Sequence, residues 1–186
     1  AVDFGDLQAE GQYRRGNAGS TTRGIIMGLY APGGDSHANH NTIEFITFAT
    51  TGNGADFGDL TTTISDATSS SNCIRAIRYG KWPTDGTIDF VTIATLGNAT
   101  DFADLTNSTK NFGCASSRTR GLFCHGAFGN GPSESNIIDF ITIASQGIDC
   151  QDFGDSTAVS RQQAGVSNGT RAVFGGGYVE QSSPYL

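Results

Sequence analysis

The sequence predicts an all-β fold, and three observations predict it. A unit of about 50 residues recurs along the chain, its apolar runs are short and rich in β-branched and aromatic residues, and small polar residues crowd the connections. Glycine accounts for 26 of 186 residues and charged residues for only 16%, a composition of many turns and few solvated helix faces. At this length one compact domain is expected, burying about 70% of the surface of its unfolded chain.

The elements follow in chain order. Asp3-Phe-Gly-Asp-Leu7 comes first, and returns as Asp56-Phe-Gly-Asp-Leu60, Asp101-Phe-Ala-Asp-Leu105 and Asp152-Phe-Gly-Asp-Ser156, with starts 53, 45 and 51 residues apart. Next come Arg-led apolar runs at Arg23-Gly24, Arg75-Ala76, Arg120-Gly121 and Arg171-Ala172. These close on Gly28, Gly80, Gly126 and the Gly175-Gly176-Gly177 run, the punctuation of a strand between tight turns. The third element is the most regular: Asn41-Thr-Ile-Glu-Phe-Ile-Thr-Phe-Ala-Thr50, Gly86-Thr-Ile-Asp-Phe-Val-Thr-Ile-Ala-Thr95 and Asn136-Ile-Ile-Asp-Phe-Ile-Thr-Ile-Ala-Ser145.

In the third element Ile43, Phe45, Thr47 and Ala49 share one face of an extended segment. Thr42, Glu44, Ile46, Phe48 and Thr50 share the other, so both faces are expected to be covered. Ser69-Ser-Ser-Asn72 and Ala115-Ser-Ser-Arg-Thr119 read as hairpin turns. Three or four strands per unit, repeated, predict propeller blades; a solenoid favours shorter periods, and an immunoglobulin-like sandwich does not repeat internally. The blade boundaries fall near 1–22 (partial), 23–74, 75–119, 120–170 and 171–186 (partial) of a single domain or segment of one.

The order of an apolar strand ending in glycines, Arg171-Ala-Val-Phe-Gly-Gly-Gly-Tyr178, then Ile-Asp-Phe-Ile-Thr-Ile-Ala, then Asp-Phe-Gly-Asp-Leu, resembles a Kelch repeat. Residues 88–105 look most like the Kelch-like repeats of tail-fibre and other virion structural proteins of tailed bacteriophages. The resemblance covers almost the whole chain and carries no catalytic residue. It implies an all-β, Kelch-like β-propeller of about four blades, or a segment of a larger one. The sequence departs from that pattern in two ways. The di-glycine is intact only in the last copy, the others reading Gly28-Leu29, Gly80-Lys81 and His125-Gly126, and one outer strand is missing beyond Tyr178. Self-closure of the ring, a fragment of a longer propeller, and a strand borrowed from a neighbour all account for that gap, with the fragment ranked first.

Candidate chemistry is sparse. Asp56 with Asp59, and Asp101 with Asp104, like Asp3 with Asp6, place two carboxylates on a tight turn and present oxygens of the kind calcium takes. The competing and favoured expectation is that these aspartates bond nearby backbone N–H groups while each Phe plugs its blade. Asp35, His37 and His40 in one loop form a weak transition-metal set, and His125 sits at a glycine position as a packing variant. Cys73, Cys114, Cys124 and Cys150 lack Cys-x-x-Cys spacing; Cys114 and Cys124 flank one hairpin, and buried thiols are the default. The sequons at Asn98, Asn107 and Asn168 arise readily in a chain of this composition. Tyr30, Trp82 and Tyr178 lie seven residues after the Arg of their units and Phe128 one residue later in its own, a row of ligand-binding candidates for sugar rings or a protein. Packing between blades is the alternative for this row.

With 11 Lys and Arg against 18 Asp and Glu, the net charge of −7 excludes a nucleic-acid grip driven by general basicity. No apolar run approaches the roughly 20 residues of a membrane helix, so no membrane insertion is expected. The expected role is non-enzymatic: a phage virion or extracellular-appendage protein, at the virion surface or outside the cell, needing no cofactor. Its partners are other virion or filament subunits, a host-surface glycan or protein, and copies of itself. A filament subunit joined by edge-strand exchange is the alternative. A polysaccharide-cleaving tailspike ranks third, because the acidic residues recur with the repeat instead of converging on one groove.

Overall fold

A computed structural model describes residues 1–8, 16–31, 38–64, 67–80, 86–110, 113–124, 126–128 and 133–178. The described chain is all-β, without helix, and arranged as antiparallel sheets in sequence order. The first is a meander of β1 (Gly16–Gly19), β2 (Arg23–Ala31), β3 (Ala38–Thr47) and β4 (Ala55–Ile64). The second repeats it with β5 (Thr68–Ser71), β6 (Arg75–Tyr79), β7 (Thr87–Thr92) and β8 (Thr100–Asp104). In the third, β9 (Thr109–Lys110) and β12 (Ala127–Phe128) extend a core of β10 (Gly113–Ser116), β11 (Arg120–Cys124), β13 (Ser133–Thr142) and β14 (Gln151–Ser160). The fourth consists of β15 (Ala164–Ser167) and β16 (Ala172–Gly175), with a further bridge between Arg161 and Tyr178. No sheet closes on itself among the described residues.

Local chemistry sets each turn and bulge. The turn before every Arg-led strand is capped by a side-chain oxygen three residues upstream: Ser20, Asn72, Ser117 and Asn168 each accept from the backbone N–H of the Arg. Of the serine-rich stretches expected as turns, 69–71 and 115–116 prove to be strand, within β5 (Thr68–Ser71) and β10 (Gly113–Ser116), while Asn72 and 117–119 lie in the turns. Small hydroxyl side chains suit these positions because first strands neighbour first strands. Ser71 Oγ donates to the Gly19 carbonyl at 2.6 Å, Ser116 Oγ to that of Ser71 at 2.9 Å, and Ser167 Oγ to that of Ser116. β2 leaves its ladder at Gly28, whose φ of +71° recurs at Gly80 (+62°) and Gly176 (+71°), a left-handed conformation that favours glycine.

The Asp-Phe-x-Asp elements at Asp56, Asp101 and Asp152, expected on tight turns, instead open a fourth strand with a bulge at the Phe. Ile43 faces Gly58 while Glu44 faces Asp56, so Phe57 lies between ladder positions, and Phe102 and Phe153 do the same in β8 and β14. The bulge turns the ring into the space between sheets. Phe57 and Phe102 are buried there, edge-on to Phe45 and Phe90. Fully burying one such ring contributes about 1.5–3 kcal/mol.

The core accordingly lies between successive sheets. Ile25, Met27, Ile43, Phe57 and Leu60 of the first pack with Ala76, Val91 and Ile93 of the second. Ile77, Tyr79, Ile88 and Phe102 of the second pack with Phe123, Ile141 and Ile143 of the third. Both faces of the third element are covered as expected, Ile43 by this core and Glu44 by the preceding segment, whereas Phe48 lies past the strand and is exposed.

Candidate functional site

The carboxylates, arginines and glycines that recur in the sequence meet at the joints between successive units, and each joint uses the same contacts. At the first, the Gly52 and Gly54 N–H groups donate to the carbonyls of Phe4 and Asp6. At the second, Gly97 and Ala99 donate to Phe57 and Asp59; at the third, Gly147 and Cys150 donate to Phe102 and Asp104. The loop answers with a side chain: Asn53, Asn98 and Asp149 Oδ1 accept from the N–H of Asp6, Asp59 and Asp104. A Cβ on Gly5 would lie 2.3 Å from the Gly52 carbonyl oxygen, and one on Gly58 would lie 2.5 Å from that of Gly97. Where the element carries Ala103 instead, the facing loop, Gly147 to Cys150, is one residue longer than Gly97 to Ala99.

The third-strand carboxylate completes the joint. Glu44, Asp89 and Asp139 are buried and accept, respectively, from the N–H of Gln8 and the hydroxyls of Thr61 and Thr106, the residues following each Asp-Phe-x-Asp-Leu element. Asp89 also pairs with Arg78, 2.5 Å away and equally inaccessible to solvent. An Arg clamps the other side. Arg23 lies over the Phe45 ring and donates to the carbonyls of Ile93 and Ala94; Arg75 lies over Phe90 and donates to Ile143.

Past the third sheet these groups are set out again but face open space. Arg120 lies 4.8 Å over Phe140, and among the described residues no carbonyl accepts from its guanidinium. Phe153 is 54% exposed, against 3% for Phe57 and 1% for Phe102. A Cβ on Gly154 would meet nothing within 4 Å. Thr157 has no carboxylate, and no loop N–H reaches Phe153 or Asp155 among the described residues. Arg120, Phe153, Leu122 and Arg171 line a cavity of about 410 Å³ here. At the joint between the first and second sheets the matching hollow is lined by Arg23, Ile74, Ile93 and Ala94, the last two just past the end of β7.

A second concavity of about 410 Å³ is polar and shared by the four first strands, with Asn17, Ser69, Ser70, Cys114, Gln163 and Ser167 in its wall. Its hydroxyls are largely engaged with neighbouring strands, as Ser70 is with Tyr79 at 2.6 Å.

The sequence-predicted candidates are scattered. Asp56 and Asp59 are exposed in β4, and Asp101 and Asp104 are exposed in β8, their backbones committed to the joints. In two sister copies the first Asp bonds the Gly N–H two residues on, Asp3 to Gly5 and Asp152 to Gly154, as turn chemistry expects. No three His, Cys, Asp or Glu side chains cluster among the described residues. Tyr178 is half exposed, with the Arg161 guanidinium 5.0 Å over its ring. Trp82 lies outside the described residues, as do Asp35, His37 and His125 and the side chains of Tyr30 and Phe128; His40 stands in β3 opposite Leu29 and Ile64. Cys114 faces Phe123 and Cys124 faces Gly113, consecutive register positions on opposite faces of the hairpin, and all four cysteines are free thiols. Burial pushes the thiols of Cys114, Cys124 and Cys150 and the phenol of Tyr79 above their ordinary ranges.

The joint residues escaped the sequence reading although their recurrence was visible. Arg23, Arg75 and Arg120 align, as do Glu44, Asp89 and Asp139, and Gln8, Thr61, Thr106 and Thr157, yet nothing in one strand says that its acid is answered from the unit before. The sequence matches no protein-family model and no curated protein.

Proposed function

We propose that the chain is a Kelch-like β-propeller, or a segment of one, working without catalysis as a structural and adhesive element of a phage virion or extracellular appendage. The observation that carries this reading is the use made of its chemistry: the recurring carboxylates and arginines are engaged in holding one unit to the next. The first strands, lined along one shared concavity, support the propeller arrangement. The resemblance of the repeat to phage tail-fibre repeats supports the setting, since fold alone does not assign function. The Tyr30, Trp82, Phe128 and Tyr178 row, which follows the Arg-led runs in the sequence, is the surface offered to a host glycan or protein. The test is attachment: labelled chain binds particular cells or glycans saturably, and Trp82→Ala with Tyr178→Ala lowers the bound fraction. Unchanged attachment in both variants removes the aromatic row from the reading, and new reducing ends in a host polysaccharide would replace it with an enzyme.

The open face at Phe153 and Arg120 favours a second reading, in which subunits join end to end through strand exchange.

A further inference from the structure

We propose that the face formed by β11, β14 and β16 is a binding site for an extended polypeptide strand supplied in trans by a partner protein. The strand carries the sequence Asp/Glu-aromatic-x-x-Ile-Ala-x-x-Gly-Asn/Asp. This deepens the strand-exchange reading by naming what the strand must contain. It does not depend on the particle in which the chain works.

The occupant is defined by the filled joints of the same molecule. An acid at the first position meets the hydroxyl of Thr157, as Asp89 meets Thr61 and Asp139 meets Thr106. Four residues on, Ile enters the cavity beside Leu122 and Phe153, where Ile93 and Ile143 are buried at the earlier joints. The carbonyls of that Ile and the next residue accept from Arg120, as Ile93 and Ala94 accept from Arg23. Glycine follows four residues after the Ile, its N–H on the Phe153 carbonyl as Gly97 N–H is on Phe57. It is close enough to Gly154 that no Cβ is tolerated there, and Gly154 shares the left-handed φ of Gly5 and Gly58, +139° against +147°. The Asn or Asp after it accepts from the Asp155 N–H, as Asn98 does from Asp59. Hydrogen bonds along the backbone supply affinity, while the Ile cavity, the Thr157 hydroxyl and the Arg120 fork select the sequence.

The experiment uses the full 186-residue chain and a synthetic peptide of residues 86–99, labelled at its amino end, read by fluorescence anisotropy. Saturable one-to-one binding is expected, lost with a scrambled peptide and with Ile93→Asp in the peptide. Arg120→Ala in the protein weakens binding about tenfold, and Thr157→Val about threefold, magnitudes set by loss of one charged and one neutral hydrogen bond. Both side chains lie at the surface, so the circular dichroism of the variants is that of wild type and their melting temperatures stay within about 4 °C of it. No binding at millimolar peptide, equal binding of the scrambled peptide, or full affinity in both variants overturns the proposal. Peptide binding without polymers in sedimentation keeps this site and rejects the filament; polymers without peptide binding do the reverse.

Discussion

Arg75 rests its guanidinium on the ring of Phe90 in its own sheet and donates to the backbone carbonyl of Ile143, 68 positions further along the chain, at 2.9 Å. One side chain thereby sets the distance between two sheets. Arg23 does the same one unit earlier, and Arg120 is in position to do so one unit later.

Removing Arg75 therefore costs more than removing its counterpart Arg120. Arg75→Ala loses a charged hydrogen bond and a cation–π contact, and lowers unfolding free energy by about 2–3 kcal/mol. Arg120→Ala changes it by less than about 1 kcal/mol, since only the ring contact is lost. Urea unfolding followed by circular dichroism reads both; equal losses would contradict the clamp.

The same asymmetry holds at glycine. Gly58→Ala puts a methyl group against the Gly97 carbonyl on a backbone at φ +147°, whereas Gly154→Ala, at +139°, meets open space. Strain alone costs about 1–3 kcal/mol, and overlap with a fixed backbone adds a similar amount. Gly58→Ala is expected to be the less stable by at least 1 kcal/mol, a value of the order of one overpacking penalty. Matching melting temperatures for the two would remove the distinction.

Asp89 answers both Arg78 and Thr61 inside the joint. Asp89→Ala strands a buried guanidinium and costs about 3–5 kcal/mol. The double variant Arg78→Met, Asp89→Leu recovers most of that loss, because apolar residues of similar volume need no partner. Thermal unfolding of the three proteins checks the order, and a double variant no better than the single one would show that the pair is needed for packing.

Alkaline pH separates the folded from the unfolded chain. Tyr79, Cys114, Cys124 and Cys150 hold their protons above the ordinary range in the fold, chiefly because burial disfavours their anions. The unfolded chain releases those protons near pH 8.5–10, so it binds fewer protons there than the native state. This stability is full below about pH 8.5 and falls above it, by about 1.4 kcal/mol per pH unit for each proton retained. Urea midpoints at pH 8 and pH 10.5 test the sign, and an unchanged midpoint would contradict it. In the same native protein an alkylating reagent labels exposed Cys73 first, since the thiolate is the reactive form and the other three are held as thiols.

Much of the fold was legible in the chain. The β-branched third strand, the recurring Asp-Phe-x-Asp element and the glycine late in or just after each second strand are local patterns that repeat, although the Asp-Phe-x-Asp element read as a tight turn and is the bulged start of a strand. The first strands were not legible: Thr68–Ser71 and Gly113–Ser116 have the composition of turns. They are strands because Ser71 and Ser116 find carbonyls on the strand of the preceding unit, a partner some 45 to 52 residues away.

The sequence by itself determined an all-β chain, the period of its unit and the residues that bend each strand, because these depend on backbone preference within a few positions. Only the tertiary structure decided what the recurring charges are for. Asp89 looks alike in the sequence to any strand acid, but its stability inside the protein depends on Thr61 and Arg78 being brought to it, and taking a carboxylate out of water is tolerable only where such donors converge. The same packing decided that Phe57 and Phe102 are core while Phe153, in the same Asp-Phe-x-Asp pattern, faces outward, since burial is a property of what stands opposite.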